Sequence, residues 1–231
     1  TLLTSTNSDP HGLGRVMRST SGSIKAVVEE SEADEAELAV AEINGGAYCF
    51  RAPWLWDNLS GLPPSPRGEI LLTDLVDLAA DQGMHVESVR SRDPAETLGV
   101  NTRVQLAKAE AVLRQRIREA WMLRGVTMPD PASVYVGATV EVGQDTVLLP
   151  NTHVTGESRI GSNCEIGPNT IVTDSLLGDN CKIVASVIEG STLDEGVNVG
   201  PFSHVRPGSH LDNGVHIGNF AEVKESRLAS G

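Results

Sequence analysis

Aromatic residues are scarce in this chain, with three Phe, two Tyr and three Trp among 231 residues. Such a composition suits a fold with a narrow interior that Val, Ile and Leu fill without large rings. Long apolar runs are also missing. No stretch of about 20 apolar residues occurs, so the sequence predicts no membrane-spanning helix.

Basic residues and cysteines are few as well. The chain has 18 Lys and Arg and 31 Asp and Glu, so its formal net charge is −13. This negative charge disfavours nucleic acid and anionic membrane surfaces as partners. The three cysteines have no metal-ligand spacing, and their odd number in a chain without a visible signal peptide predicts free thiols in a cytoplasmic protein. Because the chain opens on Thr1 instead of Met, we expect the natural N-terminus to lie further upstream.

The second half of the sequence has a period of six residues. Aliphatic residues occupy every sixth position in two runs, and Gly often follows them, as tight corners require. A fixed period of this length predicts a solenoid of short strands. The positions are Val136, Val142, Leu148, Val154, Ile160, Ile166 and Val172, then Leu193, Val199, Val205, Leu211, Ile217 and Val223.

Three hexads make one triangular coil, so residues 18 apart should stack. Val136, Val154 and Val172 would form one internal ladder with the spacing of about 4.8 Å between neighbouring strands. Between the two runs the aliphatic spacing fits only if hexads are shortened to five residues. We therefore expect bulged corners near residues 173–192.

The first half mixes strand and helix signals and predicts an α/β domain. Ile24–Val28 and Gly46–Phe50 are predicted strands, and the acidic residues 29–42 a predicted exposed helix. Thr73 is predicted to cap a helix over Asp74–Gln82.

The strongest helix signal covers residues 104–124, where apolar residues recur on one face. Gly125 ends this helix, which lies between the α/β sequence and the solenoid. The predicted organisation is an α/β domain over 1–103, a linking helix over 104–125 and a solenoid over 126–231. The apolar face comprises Leu106, Ala109, Leu113, Ile117 and Trp121.

A series of short motifs resembles one enzyme family. In this order and spacing the motifs resemble the bifunctional bacterial N-acetylglucosamine-1-phosphate uridyltransferase / glucosamine-1-phosphate N-acetyltransferase, over essentially the whole chain. The resemblance implies part of a Rossmann-like nucleotidyltransferase domain, a linking helix and a left-handed parallel β-helix; the period itself gives no handedness. The motifs are Asp9–Val16, Ala26–Glu29, Glu42–Gly46, Thr73-Asp74, Gly99–Arg103, Gly200–Gly208 and Gly218–Lys224.

The resemblance implies two reactions in the synthesis of UDP-N-acetylglucosamine for the cell wall. Acetyl-CoA acetylates the amine of glucosamine 1-phosphate, and the product attacks the α-phosphorus of UTP with the help of Mg²⁺. The implied partners are a sugar phosphate and a sugar nucleotide, and the implied assembly is a homotrimer joined through the β-helix.

Parts of both active sites have no counterpart in the 231 residues. The family's Gly-rich nucleotide loop, its Mg²⁺-binding aspartate and its acetyl-transfer histidine are missing, so we assign no catalytic residue. We expect the isolated chain to be inactive in both reactions. We also expect it to aggregate or express poorly, because a solenoid cut within its array exposes an unpaired edge.

The resemblance assigns four residues to the uridyltransferase site. It implies that the backbone at Gly14 approaches the sugar nucleotide closely and that the Glu29 carboxylate accepts hydrogen bonds from sugar hydroxyls. It also implies that the Asn44 amide binds the sugar. Asn101 is implied as the second Mg²⁺ ligand, with negligible affinity unless a carboxylate stands beside it. Gly45 replaces the family's usual Thr, which puts the local sugar contact in doubt.

In the acetyltransferase part, the resemblance assigns Arg206 and Lys224 to the phosphate of glucosamine 1-phosphate. Arg offers bidentate recognition and Lys a point charge. The two residues are 18 apart, so the period independently predicts that they stack on one face. His204, His210 and His216 are six apart, so they should lie exposed on three different faces without forming a metal site.

Two alternatives remain open. One is another sugar-1-phosphate nucleotidyltransferase with an appended β-helix, although Arg206 and Lys224 disfavour it because such an enzyme needs no acetyl-transfer pocket. The other is a non-catalytic module that trimerises through its β-helix.

Overall fold

The computed structural model describes residues 1–7, 10–65 and 68–230, so Asp9 of the first motif lies outside the described residues. The chain divides into two compact units, Thr1–Ala109 and Glu110–Gly231. The division falls inside a long helix, and the predicted domain boundaries stay a prediction. None of the described helices is both long and apolar enough to span a membrane.

The first unit is built on a five-stranded mixed sheet with the order β3-β2-β4-β1-β5. β1 pairs with β5 in parallel and with β4 antiparallel, and β2 pairs antiparallel with β3 and β4. The strands are β1 Leu2–Thr6, β2 Arg15–Arg18, β3 Ile24–Val28, β4 Glu42–Tyr48 and β5 Ser88–Arg90, and the helices are α1 Glu35–Leu38, α2 Ala52–Leu59 and α3 Asp74–Asp81, with a 3-10 turn at Pro94–Thr97.

Helix α3 packs on the sheet through Val76, which joins Leu2, Val16 and Val27 in a buried cluster. Its next residue, Asp77, ties the helix to β3, because its carboxylate accepts a hydrogen bond from the Val27 N–H at 3.0 Å. Burial, together with the nearby carboxylates on the same helix, raises the pKa of Asp77 to about 6.

We expect Asp77→Asn to stabilise the first unit at pH 8 but not at pH 4. The amide keeps an acceptor oxygen and removes the buried charge. An acid whose folded pKa lies above its unfolded value of about 3.9 stabilises the fold below that value, and this contribution is lost as pH rises through the folded pKa. After allowance for partial exposure the gain at pH 8 should be about 1 kcal/mol.

Urea unfolding followed by Trp fluorescence at both pH values measures this gain. Asp57→Asn, at an exposed position on α2, is the matched control and should change little at either pH. An equal gain for Asp77→Asn at pH 4 and pH 8 would rule out the titration as its cause.

Helix α4, Arg103–Leu123, leads into the second unit. Only the C-terminal part of its apolar face packs on the core there, through Ile117, Trp121 and Met122. Leu106 and Leu113, on the same predicted face, remain 54% and 53% exposed. The predicted helix is confirmed, and its apolar face packs on the core, partly buried, only near its C-terminal end.

The second unit is a parallel β-helix of very short strands in three sheets. We call them the β7 sheet (order β22-β19-β16-β13-β10-β7), the β8 sheet (β20-β17-β14-β11-β8) and the β6 sheet (β21-β18-β15-β12-β9-β6). The strands are β6 Tyr135–Val136, β7 Glu141–Val142, β8 Val147–Leu148, β9 His153–Thr155, β10 Arg159–Ile160, β11 Glu165–Ile166, β12 Ile171–Thr173, β13 Leu176–Leu177, β14 Lys182–Ile183, β15 Val187–Glu189, β16 Thr192–Leu193, β17 Asn198–Val199, β18 His204–Val205, β19 His210–Leu211, β20 His216–Ile217, β21 Glu222–Val223 and β22 Arg227–Leu228, and a 3-10 turn at Pro131–Ser133 precedes them.

The predicted aliphatic ladders fill the interior. Val172 pairs in register with Val154 on one side and Ile188 on the other, and all three side chains are fully buried. Some buried hydroxyls at the corners donate to carbonyls of the next coil, as Thr146 Oγ1 does to Gly161 O at 2.8 Å. Others donate within their own coil, as Ser175 Oγ does to Thr173 O at 2.8 Å. The α/β start, the helix and the solenoid confirm the predicted fold class.

The coils shorten in the middle of the array instead of bulging. Register partners are 18 residues apart at Glu141↔Arg159 and 16 apart at Leu176↔Thr192, and the pairing stays continuous. Left-handed residues form corners in shortened and full-length hexads alike, for example Ala185 with φ of 44° and Asn151 with φ of 58°. The predicted shortening near residues 173–192 is therefore correct and the predicted bulges are not.

Candidate functional site

Three of the predicted sugar-site residues meet in the first unit. Gly14 precedes β2, Glu29 follows β3 and Asn44 lies in β4. The Asn44 N–H donates to Gly14 O at 2.9 Å. A Cβ at Gly14 would lie 3.4 Å from the Glu29 carboxylate, so the missing side chain keeps the backbone close to this acid.

Thr73 and Tyr48 complete this cluster, and neither was assigned to it from the sequence. The Thr73 hydroxyl donates to Glu29 Oε1 at 3.4 Å and makes no capping bond to α3, so its predicted role as a side-chain cap is wrong. The Asn44 amide donates to Tyr48 Oη at 2.5 Å. Burial of the phenol and the nearby Glu29 charge raise the pKa of Tyr48, with the Asn44 bond acting in the opposite direction.

Local packing explains why position 45 holds a glycine. A Cβ there would lie 2.9 Å from Leu3 Cγ and 3.0 Å from Thr97 Cγ2. With Gly45 in place, the Asn44 side-chain oxygen accepts from the Gly46 N–H at 3.1 Å. A threonine would not fit this backbone. The close packing of β1 against β4 therefore explains why Gly45 replaces the family's usual threonine.

Glu30 holds the loop that leads to Gly14. Its carboxylate pairs with His11 Nδ1 at 2.7 Å, accepts from the Gly12 N–H at 2.6 Å and pairs with Arg15 at 3.2 Å. The backbone bond from Gly12 and the Arg15 guanidinium outweigh burial and lower the pKa of Glu30. The sequence predicted Glu30 to lie in an exposed acidic helix over residues 29–42, because no local pattern distinguishes it from the acids that follow.

Asn101 lies beside the same loop, where its amide nitrogen donates to Gly12 O at 3.5 Å. The implied Mg²⁺ does not fit this position, since a hard cation needs carboxylate oxygens beside the amide oxygen. Among the described residues, the one group of three His, Cys, Asp or Glu side chains that converges is elsewhere, in the second unit. We therefore derive no step through Mg²⁺.

Arg206 and Lys224 are neighbours in the second unit, as their spacing predicts. They follow β18 and β21, which pair in register through Val205↔Val223. The Arg206 N–H donates to Val223 O at 2.8 Å, which fixes the two backbones one coil apart. Both cations therefore follow equivalent strands on one sheet.

Glu222 accompanies these cations and was not singled out from the sequence. Its carboxylate accepts from Arg206 Nη1 at 2.8 Å. The hydrogen bond and charge of Arg206, with smaller contributions from His204 and Lys224, lower the pKa of Glu222. Arg206, Lys224 and Glu222 together carry a net positive charge, which suits binding of an anionic group.

The three histidines lie on three different sheets, in β18, β19 and β20, as predicted. His216 is exposed, but His204 and His210 are only half-exposed. His204 pairs with Glu189 at 2.7 Å and His210 with Asp194 at 2.9 Å, each across one coil. The prediction that all three are exposed is wrong for these two, because carboxylates of the preceding coil hold them against the sheet.

Comparison with known proteins defines the class first. Residues 139–174 match the family described as bacterial transferase hexapeptide (six repeats). The second unit is thus a hexapeptide-repeat left-handed β-helix. A solved structure of the acetyltransferase domain of PglB from Neisseria gonorrhoeae is 20% identical, with a TM-score of 0.43 over 66% of this chain and 85% of that one, a likeness too weak to support any argument.

Curated relatives give the particular family. The bifunctional protein GlmU of Heliobacterium modesticaldum is 42% identical over 100% of this chain and 51% of its own length. That of Carboxydothermus hydrogenoformans is 44% identical over 100% of this chain and 52% of its own. The chain belongs to this family and spans about half the length of the relatives it matches.

Proposed function

We propose that the chain forms part of an enzyme that makes UDP-N-acetylglucosamine by two transfers. In the second unit, glucosamine 1-phosphate would be held for acetylation of its amine by acetyl-CoA. In the first unit, N-acetylglucosamine 1-phosphate would be held for uridylyl transfer from UTP. The 231 residues supply binding groups to each site, and we assign no catalytic residue among them.

The stacked pair of Arg206 and Lys224 carries this proposal. A guanidinium and an ammonium on adjacent coils match the several oxygens of one phosphate, the first through paired N–H groups and the second as a point charge. Glu222 orients the guanidinium through the 2.8 Å bond. In a chain of net charge −13, two adjacent cations on one face favour an anionic ligand there.

The first unit supports the second transfer through its carboxylate, amide and hydroxyl groups. Glu29 accepts from Thr73 and lies against Gly14, which leaves carboxylate oxygen free to accept from a sugar hydroxyl. Asn44 offers a donor and an acceptor close by. These groups would position the sugar of a sugar nucleotide for uridylyl transfer from UTP.

Calorimetric titration tests the proposal for the second unit. We expect glucosamine 1-phosphate to bind and glucosamine, the same sugar without phosphate, to give no heat, because the two cations recognise the phosphate. Equal behaviour of the two ligands would contradict the proposal.

The same titration, repeated with a sugar nucleotide, separates the alternatives. A different nucleotidyltransferase with an appended β-helix would bind a sugar nucleotide in the first unit and ignore glucosamine 1-phosphate. A purely trimerising module would bind neither.

For the 231 residues alone we expect no turnover in either reaction. For the longer enzyme of which they form part, we propose a cytoplasmic homotrimer joined through the β-helix. Sedimentation velocity checks the assembly, and a monomer at micromolar concentration would contradict it. Assays of acetyl transfer and of pyrophosphate release check the expected inactivity, and clear turnover in either would overturn that expectation.

A further inference from the structure

A second constellation of chemical groups lies on the β7 sheet, away from the sugar-phosphate residues on the β6 sheet. His210 Nε2 is 2.9 Å from Asp194 Oδ2 and 3.7 Å from Asp212 Oδ1. One ligand atom from each of the three side chains lies within 4.8 Å of the other two. All three side chains are partly exposed, so a small ion in solution has access to them.

The backbone fixes this arrangement. Asp194 follows β16 and Asp212 follows β19, and these strands pair in register through Leu193↔Leu211. The Asp194 N–H donates to Leu211 O at 2.9 Å, so the two aspartates occupy equivalent positions on adjacent coils. His210 precedes buried Leu211 in the same strand. Rigid strands therefore present the three groups.

We propose that Asp194, His210 and Asp212 form a binding site for a divalent transition-metal ion of the Zn²⁺ type. Bonds of about 2.0–2.1 Å in a tetrahedral site place neighbouring ligand atoms roughly 3.3 Å apart. The two distances from His210 Nε2, 2.9 and 3.7 Å, bracket this separation. One imidazole and two carboxylates are ordinary ligands for such an ion and would leave a coordination position for water.

Arg227 now occupies part of this site. It lies on the next coil in register with His210, and its Nε donates to Asp212 Oδ1 at 3.0 Å. Its guanidinium neutralises the carboxylate that a metal ion would use, so it competes with the ion. Metal binding therefore requires the exposed Arg227 side chain to move away from Asp212. Removing the Arg227 charge should consequently strengthen metal binding.

Calorimetric titration of the untagged chain with Zn²⁺ in a chelator-free buffer tests the site. We expect one site in the unmodified chain and at least a tenfold loss of affinity in His210→Gln and in Asp194→Asn. Arg227→Gln should bind Zn²⁺ several-fold more tightly, because it removes the competing cation. A general electrostatic attraction to acidic surface would not depend on His210.

The matched control is His204→Gln. His204 is also paired with a carboxylate of the preceding coil, Glu189 at 2.7 Å, and this replacement should leave Zn²⁺ affinity unchanged. Zn²⁺ should also raise the melting temperature of the unmodified chain and not that of His210→Gln, which separates loss of the site from loss of the fold. The proposal is overturned by no Zn²⁺ binding at millimolar concentration, by unchanged affinity in His210→Gln, or by weaker binding in Arg227→Gln.

Discussion

Replacing Val172 with aspartate is expected to unfold the second unit, whereas the same replacement at the preceding residue, Ile171, should leave it folded. The two positions are adjacent in β12, but Val172 is fully buried between Val154 and Ile188 and Ile171 is 43% exposed. A carboxylate at 172 would have no polar partner inside the narrow prism. Its desolvation, added to the lost apolar burial, should cost at least about 4 kcal/mol.

Circular dichroism and urea unfolding measure both variants. Val172→Asp should lose the β signal or unfold at a much lower urea concentration, while Ile171→Asp should stay within about 1 kcal/mol of the unmodified chain. Because the two variants differ by one position, net charge and composition are nearly matched. Similar stability of the two variants would mean that the strands do not alternate between inside and outside as described.

Replacing Gly143 with alanine should have the second-largest effect, about 3 kcal/mol of lost stability. A Cβ at this corner would lie 2.5 Å from both Gly161 C and Ser162 N, which are backbone atoms of the next coil. The Gly143 N–H donates to Ile160 O at 2.8 Å, so the coils cannot separate without breaking that bond. The methyl group must therefore wedge two coils apart.

Gly218→Ala is the matched control, since Gly218 follows an inward aliphatic residue in the same way. A Cβ there meets nothing within 4 Å, and the backbone is not left-handed. Its stability should change by no more than about 0.5 kcal/mol in the same urea titration. If both alanine variants lose stability equally, close approach of the coils is not the cause.

The β-helix was predictable because each of its strands places the same kind of side chain in the interior. The inward position of each strand needs an aliphatic side chain, so the period of six appears directly in the sequence. The 18-residue stacking of Arg206 and Lys224 follows from that period. Glu222 was missed because its contact with Arg206 depends on side-chain direction, although it stands in the motif that ends at Lys224. The histidine–carboxylate pairs were missed for the same reason.

The first unit was harder to predict, because its elements depend on contacts distant in the chain. Ile24–Val28 was predicted correctly, since its apolar pattern is local. The acidic segment 29–42 forms only the short helix Glu35–Leu38, which Asp34 caps through its side chain and Glu37. The rest of that segment stays outside a helix: Glu30 bonds to the Gly12 N–H, and Glu42 begins strand β4.

Thr73 shows how a local rule gives way to tertiary structure. The sequence pattern of a hydroxyl before an apolar helix predicts a side-chain cap. In the structure the Thr73 hydroxyl instead donates a hydrogen bond to Glu29, which is 44 residues away in the sequence. Thr73 belongs to one of the motifs of the family resemblance, but no single-sequence pattern gives this contact, so its hydrogen bond to Glu29 emerges only from the fold.

The proposed role of Arg206 and Lys224 is to hold one sugar phosphate between them, because the stacked coils place the two residues side by side. A double-mutant cycle for glucosamine 1-phosphate binding, with Arg206→Gln, Lys224→Gln and the double variant, tests it most directly by calorimetry. Lys182→Gln, which removes a cation paired with Glu165 on the β8 sheet at 2.9 Å, serves as control.

We expect each single replacement to weaken binding by roughly tenfold or more. The double replacement should weaken it by less than the product of the two, and the control should have no effect, which is the pattern of one shared phosphate site. Unchanged binding in either single variant, or losses that multiply as for independent sites, would contradict it.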